Sequence, residues 1–206
     1  MSNPLAPEWL DYPADVNAIA ESVWPRHAKR RATGELEIAG VAVTEIATQF
    51  GTPIYVIDED DFRARATAAK TALTDAAKKI GTEAKVYYAS KAFLSTEIVG
   101  WINEPGLNID VASGGELAAA LAGGIDPQKI EVHGNNKSVA EIDRAVSVGV
   151  KTIVMDSLFE IERVAAAAKQ HGVRQAVMLR LTPGIEAHTH EKISTAHEDV
   201  KFGFSI

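Results

Sequence analysis

The chain contains no cysteine, which excludes disulfide bonds, thiolate metal ligands and a cysteine nucleophile within its 206 residues. It has no run of about 18 apolar residues, so no segment is predicted to cross a membrane. Its first ten residues lack the basic start and apolar stretch of a secretory signal. The net charge is −7, which provides no basic footprint for nucleic acid. These absences favour a cytoplasmic protein that binds neither membranes nor nucleic acids.

The N-terminal third of the chain mixes irregular and regular patterns. Residues 1–34 are polar, contain four prolines and are predicted to be irregular. Alternation of apolar and polar residues predicts a half-buried strand after them. The elements predicted here are a strand over Glu35–Val43, a helix over Thr44–Phe50, a strand over Pro53–Ile57 and a helix over about Asp60–Lys79, capped by Asp58.

From Lys85 onward, short apolar runs recur at intervals of roughly 23 residues, with helical patterns between them. Strands and helices that alternate at this spacing form parallel strands joined by crossover helices. The predicted strands are Val86–Ser90, Ile109–Ala112, Ile130–His133, Thr152–Asp156 and Ala176–Leu181. The predicted helices include Glu116–Leu121, Val139–Val148 and Phe159–His171.

Three of the predicted helices begin with the same pattern, Ser-x-x-Glu. In a capping box the serine accepts a hydrogen bond from a free amide of the first turn, and the glutamate reaches back to the serine amide. We therefore predict three capping boxes, each directly after a strand, at Ser113–Glu116, Ser138–Glu141 and Ser157–Glu160.

Two architectures alternate strands and helices in this way, a doubly wound open sheet and a (β/α)8 barrel. No Gly-x-Gly-x-x-Gly follows the first regular strand, which disfavours the dinucleotide-binding form of the open sheet. We predict an α/β fold of the TIM-like (β/α)8 barrel type. Such a barrel has eight strands and only about five are predicted here. We therefore expect an incomplete barrel, and expect residues 1–206 alone to be inactive and prone to aggregate.

The most informative segment chemically is Tyr87-Tyr-Ala-Ser-Lys-Ala92, at the end of the first regular strand. Because side chains alternate along a strand, Tyr87, Ala89 and Lys91 are expected on one face, where the small Ala89 leaves room for a ring. A partly buried lysine at the carboxyl end of a barrel strand has an amine suited to forming a Schiff base. Position alone favours the alternative, an ordinary solvated lysine.

The surrounding sequence favours the chemical interpretation. Tyr-Ala-Ser-Lys-Ala resembles the Tyr-Ala-x-Lys-Ala signature of the alanine-racemase-like barrel family of pyridoxal-phosphate enzymes, which includes diaminopimelate, ornithine and arginine decarboxylases. The resemblance covers nearly the whole chain from about Glu35, and its later part closely resembles actinobacterial diaminopimelate decarboxylases. The other segments that carry it are Phe50–Tyr55, Asp110–Glu116, Val132–Lys137, Leu179–Gly184, Glu186–His190 and Lys201–Gly203.

The resemblance implies pyridoxal 5'-phosphate as cofactor, held by Lys91 as a Schiff base. In the family, the positions matching Asp110 and Arg180 lie at strand ends near the cofactor ring, and His133 is a further candidate for lining the site. Purely structural roles for these three residues, in an ion pair or a loop, stay open.

The resemblance also implies a reaction and an organisation. The expected substrate is an amino acid, meso-2,6-diaminopimelate, which is decarboxylated to L-lysine and CO2 by a homodimer with shared active sites. Residues 1–50 are expected to contribute to a β-domain, and residues 51–206 to form part of the cofactor-binding barrel.

Other functions stay open on the sequence. The chain could belong to an ornithine or arginine decarboxylase, to a Schiff-base aldolase that needs no phosphate cofactor, or to a non-catalytic relative. The spacing of His188, His190 and His197 also permits a zinc site. No predicted strand or helix fixes those histidines and the family uses no metal in catalysis, so we expect no metal.

Overall fold

A computed structural model describes Asp15, residues 17–184 and residues 201–205. The chain forms two compact units, residues 1–65 and residues 66–206. The strands are β1 (Ala28–Arg30), β2 (Leu36–Ile38), β3 (Val41–Ala42), β4 (Tyr87–Ala89), β5 (Asn108–Val111), β6 (Ile130–Val132), β7 (Thr152–Met155), β8 (Val177–Leu179), β9 (Leu181–Thr182) and β10 (Phe204–Ser205). The helices are α1 (Val43–Phe50), α2 (Glu59–Lys79), α3 (Thr96–Asn103), α4 (Gly114–Ala122), α5 (Val139–Val148) and α6 (Leu158–His171).

In the first unit, β1, β2 and β3 form an antiparallel sheet in that order. The single strand predicted over Glu35–Val43 is wrong, because β2 and β3 pair with each other across Ala39 and Gly40. Both turn residues have positive φ, 50° and 84°, as in the two-residue turns that match the twist of a hairpin. The short helix predicted next is confirmed, and α1 ends at Phe50 with Gly51 as its C-cap.

The strand predicted over Pro53–Ile57 is also wrong. These residues pair with no strand in the described part of the chain, and Tyr55 is fully exposed. Their β-branched and aromatic composition favours a strand, but a strand also requires a neighbouring ladder partner. The cap predicted for the following helix is confirmed, since the Asp61 amide donates to Asp58 Oδ1 at 3.1 Å.

The second unit contains a five-stranded parallel sheet in the order β4-β5-β6-β7-β8. Helices alternate with these strands, which confirms the α/β alternation and the predicted strands to within about two residues at each end. The sequence did not predict α3, whose segment contains Gly100 and several β-branched residues of weak helix propensity. Ser95 caps α3 by accepting from the Ile98 amide at 3.3 Å.

The two faces of this sheet have opposite chemistry. Ala89, Asp110, Glu131 and Thr152 are register partners on neighbouring strands and therefore share one face. The other face packs against the helices and supplies the core, with each fully buried large side chain contributing roughly 1.5–3 kcal/mol. Its buried side chains are Ile109, Val111, Ile130, Val132 and Ile153. The two carboxylates of these strands, Asp110 and Glu131, thus lie on one face only.

No helix within the described residues is long and apolar enough to cross a membrane.

Candidate active site at the strand ends

Lys91 lies directly beyond the first strand of the parallel sheet. Strand β4 ends at Ala89, and Ser90–Ala92 form one turn of 3-10 helix. The alternation expected to place Lys91 on the face of Tyr87 therefore stops before it reaches the lysine. Lys91 is exposed within the part of the chain that the structure describes, so its partial burial stays a prediction.

Asp110 is the centre of a group of interacting charges at the same end of the sheet. Burial raises the pKa of the Asp110 carboxyl, the positive charges of His133 and Lys91 lower it, and the negative charges of Glu116 and Glu131 raise it again. Together these effects place the pKa of Asp110 above the ordinary aspartate value. The structure thus brings Lys91, Asp110 and His133 into one electrostatically coupled group.

The predicted capping box at the start of α5 is confirmed. The Glu141 amide donates to Ser138 Oγ at 3.2 Å, and the Ser138 amide donates to Glu141 Oε2 at 2.8 Å. Glu141 Oε1 also accepts from the Gly114 amide at 2.7 Å, which connects α5 to the start of α4. The pKa of Glu141 is held below its usual range, mainly by hydrogen bonds from the amide and the hydroxyl of Ser138. A further bond from the Gly114 amide lowers it in the same direction.

The predicted box at the start of α4 is only half formed. Ser113 Oγ accepts from the Glu116 amide at 3.2 Å. The Glu116 carboxylate, however, accepts from the Ala112 amide and from the Ser90 hydroxyl. It therefore joins the end of β5 to the turn that carries Lys91.

The box predicted at the start of α6 is wrong, because Ser157 makes no side-chain capping bond. Glu160 Oε2 instead accepts from the Asp156 amide at 2.8 Å and pairs with Lys137 Nζ at 3.0 Å. Both side chains of this ion pair are 3% exposed. Glu160 Oε1 is buried and has no hydrogen-bond partner within the described residues.

The amine of Lys137 has three bonding partners. Besides Glu160, its amine donates to the carbonyl oxygens of Gly134 and Val154, the latter at 2.8 Å. Gly134 has a φ of 111°, and a Cβ there would lie 3.2 Å from the Ala112 carbonyl oxygen. Lys137 therefore holds the loop after His133 closely against the end of β5.

Arg180 belongs to a second cluster. Its Nε lies 3.9 Å from Asp156 Oδ1, and its guanidinium carbon lies 4.3 Å from the centre of the Phe202 ring. The Gly203 amide donates to Asp156 Oδ2 at 2.9 Å. A Cβ at Gly203 would lie 2.6 Å from Thr182 Oγ1, so this close approach requires glycine. Within the described residues, no bond or ion pair joins Arg180 to the first cluster.

Sequence reasoning missed the ion pair of Lys137 and the bond between Ser90 and Glu116. The Ser-x-x-Glu pattern identified both glutamates, but it assigned each to its own helix start. His188, His190 and His197 lie outside the described residues. Within the described residues, no group of three or more potential metal ligands is clustered.

Comparison with known proteins defines the class. Residues 60–206 match the family model described as pyridoxal-dependent decarboxylase, pyridoxal binding domain. The chain belongs to this family of pyridoxal-phosphate-dependent decarboxylases, as the resemblance implied.

Several curated relatives of the chain are diaminopimelate decarboxylases. That of Mycobacterium tuberculosis H37Rv is 52% identical over 91% of this chain and 40% of its own length. That of Mycobacterium leprae is 53% identical over 93% of this chain and 39% of its own length. The chain thus spans about 40% of the curated relatives it matches.

Solved structures agree on the fold. The diaminopimelate decarboxylase of M. jannaschii superposes with a TM-score of 0.77 at 30% identity, covering 88% of this chain and 42% of that chain. A lysine/ornithine decarboxylase of Vibrio vulnificus superposes with a TM-score of 0.54 at 26% identity, over 66% of this chain and 35% of that chain. The prediction of the barrel type of fold is confirmed.

The strand ends suit the family's cofactor. The exposed amine of Lys91 is open to an aldehyde, and the small residues Ala89 and Ala112 flank the strand ends nearby. The half-buried Asp110 and His133 supply polar groups on the same side. These donors and acceptors fit an aromatic aldehyde that carries charged groups.

Proposed function

We propose that this chain supplies the cofactor-binding lysine of a decarboxylase that converts meso-2,6-diaminopimelate into L-lysine and CO2. The observation that carries the proposal is the accessible amine of Lys91, coupled to Asp110 and His133, in a chain of this family. The substrate is supported by the names of the curated relatives. A structure of the M. jannaschii diaminopimelate decarboxylase in complex with L-lysine, 29% identical with a TM-score of 0.73, supports the product.

Lys91 has two tasks in this proposal. Its amine attaches the cofactor through the cofactor's aldehyde, with loss of one water molecule. When bound, the cofactor withdraws the electron pair left on the substrate after loss of the carboxylate. When not bonded to the cofactor, the Lys91 amine would be able to hold a proton and deliver it to the reacting carbon.

Asp110, His133 and Arg180 are proposed cofactor-binding residues. Asp110 and His133 act on one another electrostatically beside Lys91, which supports contact with the cofactor ring. Arg180 approaches from the junction of β8 and β9, where Asp156 and Phe202 hold its guanidinium. A guanidinium carries a permanent positive charge.

A second candidate function is decarboxylation of ornithine or arginine on the same fold. The similarity to the lysine/ornithine decarboxylase of Vibrio vulnificus supports it. A non-catalytic relative that binds the cofactor would share Lys91 and differ in turnover.

The organisation proposed for the protein is a cytoplasmic homodimer with shared active sites. Residues 1–50 are proposed to contribute to a β-domain and residues 51–206 to the cofactor-binding barrel. The antiparallel sheet of β1, β2 and β3 supports the first part, and the parallel sheet from β4 to β8 supports the second. The acidic, cysteine-free composition is the basis for the proposed location.

The test is a visible absorbance spectrum of the full-length protein with pyridoxal phosphate, before and after Lys91→Ala. We expect a band from the lysine-bound cofactor in the wild type and none in the variant. Absence of the band from the wild type would refute the proposed cofactor lysine. CO2 release from meso-diaminopimelate, ornithine and arginine then separates the substrates, and a wild type that binds cofactor but releases none would support the non-catalytic relative.

A further inference from the structure

The residue before Lys91 is fixed by a carboxylate from the next βα unit. Ser90 is 2% exposed, and its hydroxyl donates to Glu116 Oε2 at 2.7 Å. The same oxygen accepts from the Ala112 amide at 2.6 Å. A single carboxylate oxygen thus ties the turn of Lys91 to the end of β5, the strand that contains Asp110. We call Ser90 and Glu116 the Ser90–Glu116 clamp.

Helix capping does not account for this arrangement. Glu141 occupies the equivalent position in α5 and bonds the amide of its own N-cap, Ser138, as the sequence pattern predicts. The carboxylate of Glu116 bonds Ala112, one residue before the N-cap of α4, and then reaches a side chain on the preceding strand end. The second bond satisfies no backbone amide of α4, and it joins the turn of Lys91 to that helix.

Glu116 also belongs electrostatically to the group around Lys91. Its negative charge acts on Asp110, on which Lys91 and His133 act with the opposite sign. The carboxylate that holds the turn is therefore close to the charges among which the Lys91 amine has to work. Bonds to a charged acceptor in such a site are stronger than bonds between neutral groups.

Building on the proposed attachment of the cofactor at Lys91, we infer that Glu116 is a positioning residue that holds the Lys91 backbone through Ser90. Lys91 itself is exposed and lies in a short 3-10 turn. Its position therefore depends on how firmly that turn is anchored. Without the clamp, the turn samples more conformations, and each attachment has to restrict them again.

The experiment titrates the cofactor-free full-length protein with pyridoxal phosphate and follows the absorbance of the lysine-bound form. The variants are Glu116→Gln, Ser90→Ala and both together, with Glu141→Gln as the matched control at the equivalent helix position. We expect each clamp variant to raise the apparent Kd about tenfold, which corresponds to the loss of one charge-assisted hydrogen bond. The control is expected to stay within about twofold of the wild type, although it also loses a capping carboxylate.

A double-mutant cycle distinguishes positioning through Ser90 from independent structural damage. If both residues act through one bond, the double variant raises the apparent Kd no more than either single variant does. Circular dichroism checks that the variants fold, and Ser90→Ala tests the clamp even where Glu116→Gln fails to fold.

The outcomes separate the clamp from the proposed function. A wild type without the band removes the proposed attachment, and the role of the clamp with it. If the wild type shows the band and Glu116→Gln leaves the apparent Kd unchanged, the clamp is refuted but the attachment is not. The clamp is also refuted if the increases in apparent Kd of the two single variants multiply in the double variant.

Discussion

Lys91 and Lys137 both follow strands of the same parallel sheet, but their surroundings are opposite. Lys91 is exposed. Its positive charge acts on Asp110, whose pKa is nevertheless raised because burial outweighs the attraction of the cationic neighbours. The side chain of Lys137 is 3% exposed, and its amine bonds Glu160 and two carbonyl oxygens. One amine is left free to react, and the other is fully occupied in holding the strand ends together.

This difference teaches how the sheet combines reactivity with rigidity. A lysine that must form and break a bond needs access, so its own side chain adds little to stability. The neighbouring strand ends compensate with a buried ion pair whose partners cannot be removed separately. Four substitutions test the contrast, from the largest expected effect to the smallest.

Lys137→Met removes one partner of the buried pair. It leaves the Glu160 carboxylate buried without a counter-charge, so we expect the free energy of unfolding to fall by about 3–5 kcal/mol. Urea denaturation of the full-length protein measures this. Combining it with Glu160→Leu removes the stranded charge and should restore at least half of the loss. A single-variant loss below about 1 kcal/mol would show that the pair contributes little.

Gly134→Ala tests the loop that Lys137 holds. The backbone φ of 111° is strained for any residue with a Cβ, and the added atom would meet the Ala112 carbonyl oxygen at 3.2 Å. We expect a loss of about 2 kcal/mol in the free energy of unfolding. Gly124→Ala is the control for strain alone, since it also has positive φ but nothing lies within 4 Å of its Cβ. Equal losses in both variants would mean that the close approach is unimportant.

Glu141→Gln removes a charged cap that forms no hydrogen bond with either lysine among the described residues. We expect a loss of about 1–2 kcal/mol near neutral pH, measured by urea denaturation. The pKa of Glu141 is lowered in the folded protein, so its contribution is present above the unfolded pKa and is lost as pH falls through the folded pKa. The difference from the wild type should therefore shrink below about pH 4.5. A constant difference across that range would contradict the lowered pKa.

Lys91→Met is expected to have the smallest effect on stability. Because the side chain is exposed, the free energy of unfolding of the cofactor-free protein should change by less than about 0.5 kcal/mol. The same variant should bind no cofactor covalently. A loss above about 1 kcal/mol would mean that the two lysines are less different than their exposure indicates.

The sequence predicted the second unit better than the first. The strands around Ile109, Ile130 and Ile153 are apolar, regularly spaced and separated by helix signals, so local pattern and tertiary packing agree. In the first unit, a turn at Ala39 and Gly40 has no strong signal, because an alanine with positive φ is unusual. The segment from Pro53 to Ile57 has strand composition but no partner strand.

In the candidate site, only residues that belong to a recognisable sequence motif could be predicted. Lys91 was selected from its strand-end position together with the family resemblance, and Asp110 from the resemblance alone. The different roles of Glu116, Glu141 and Glu160 could not, since all three stand in the same Ser-x-x-Glu pattern. Their roles differ because each glutamate bonds a different group at the end of the preceding strand. Which group lies within reach depends on the assembled sheet.

The three glutamates also indicate the order in which parts of the sheet can be completed during synthesis. Each one bonds a group that was synthesised earlier, in the preceding βα unit: Glu116 with Ser90, Glu141 with Gly114, and Glu160 with Lys137. On the ribosome, where a chain emerges from its N-terminus, these three groups therefore gain their bonds only after the helix of the next βα unit has emerged. The turn of Lys91 gains its bond to Glu116 only after residue 116 has emerged, which is one βα unit later than its own strand.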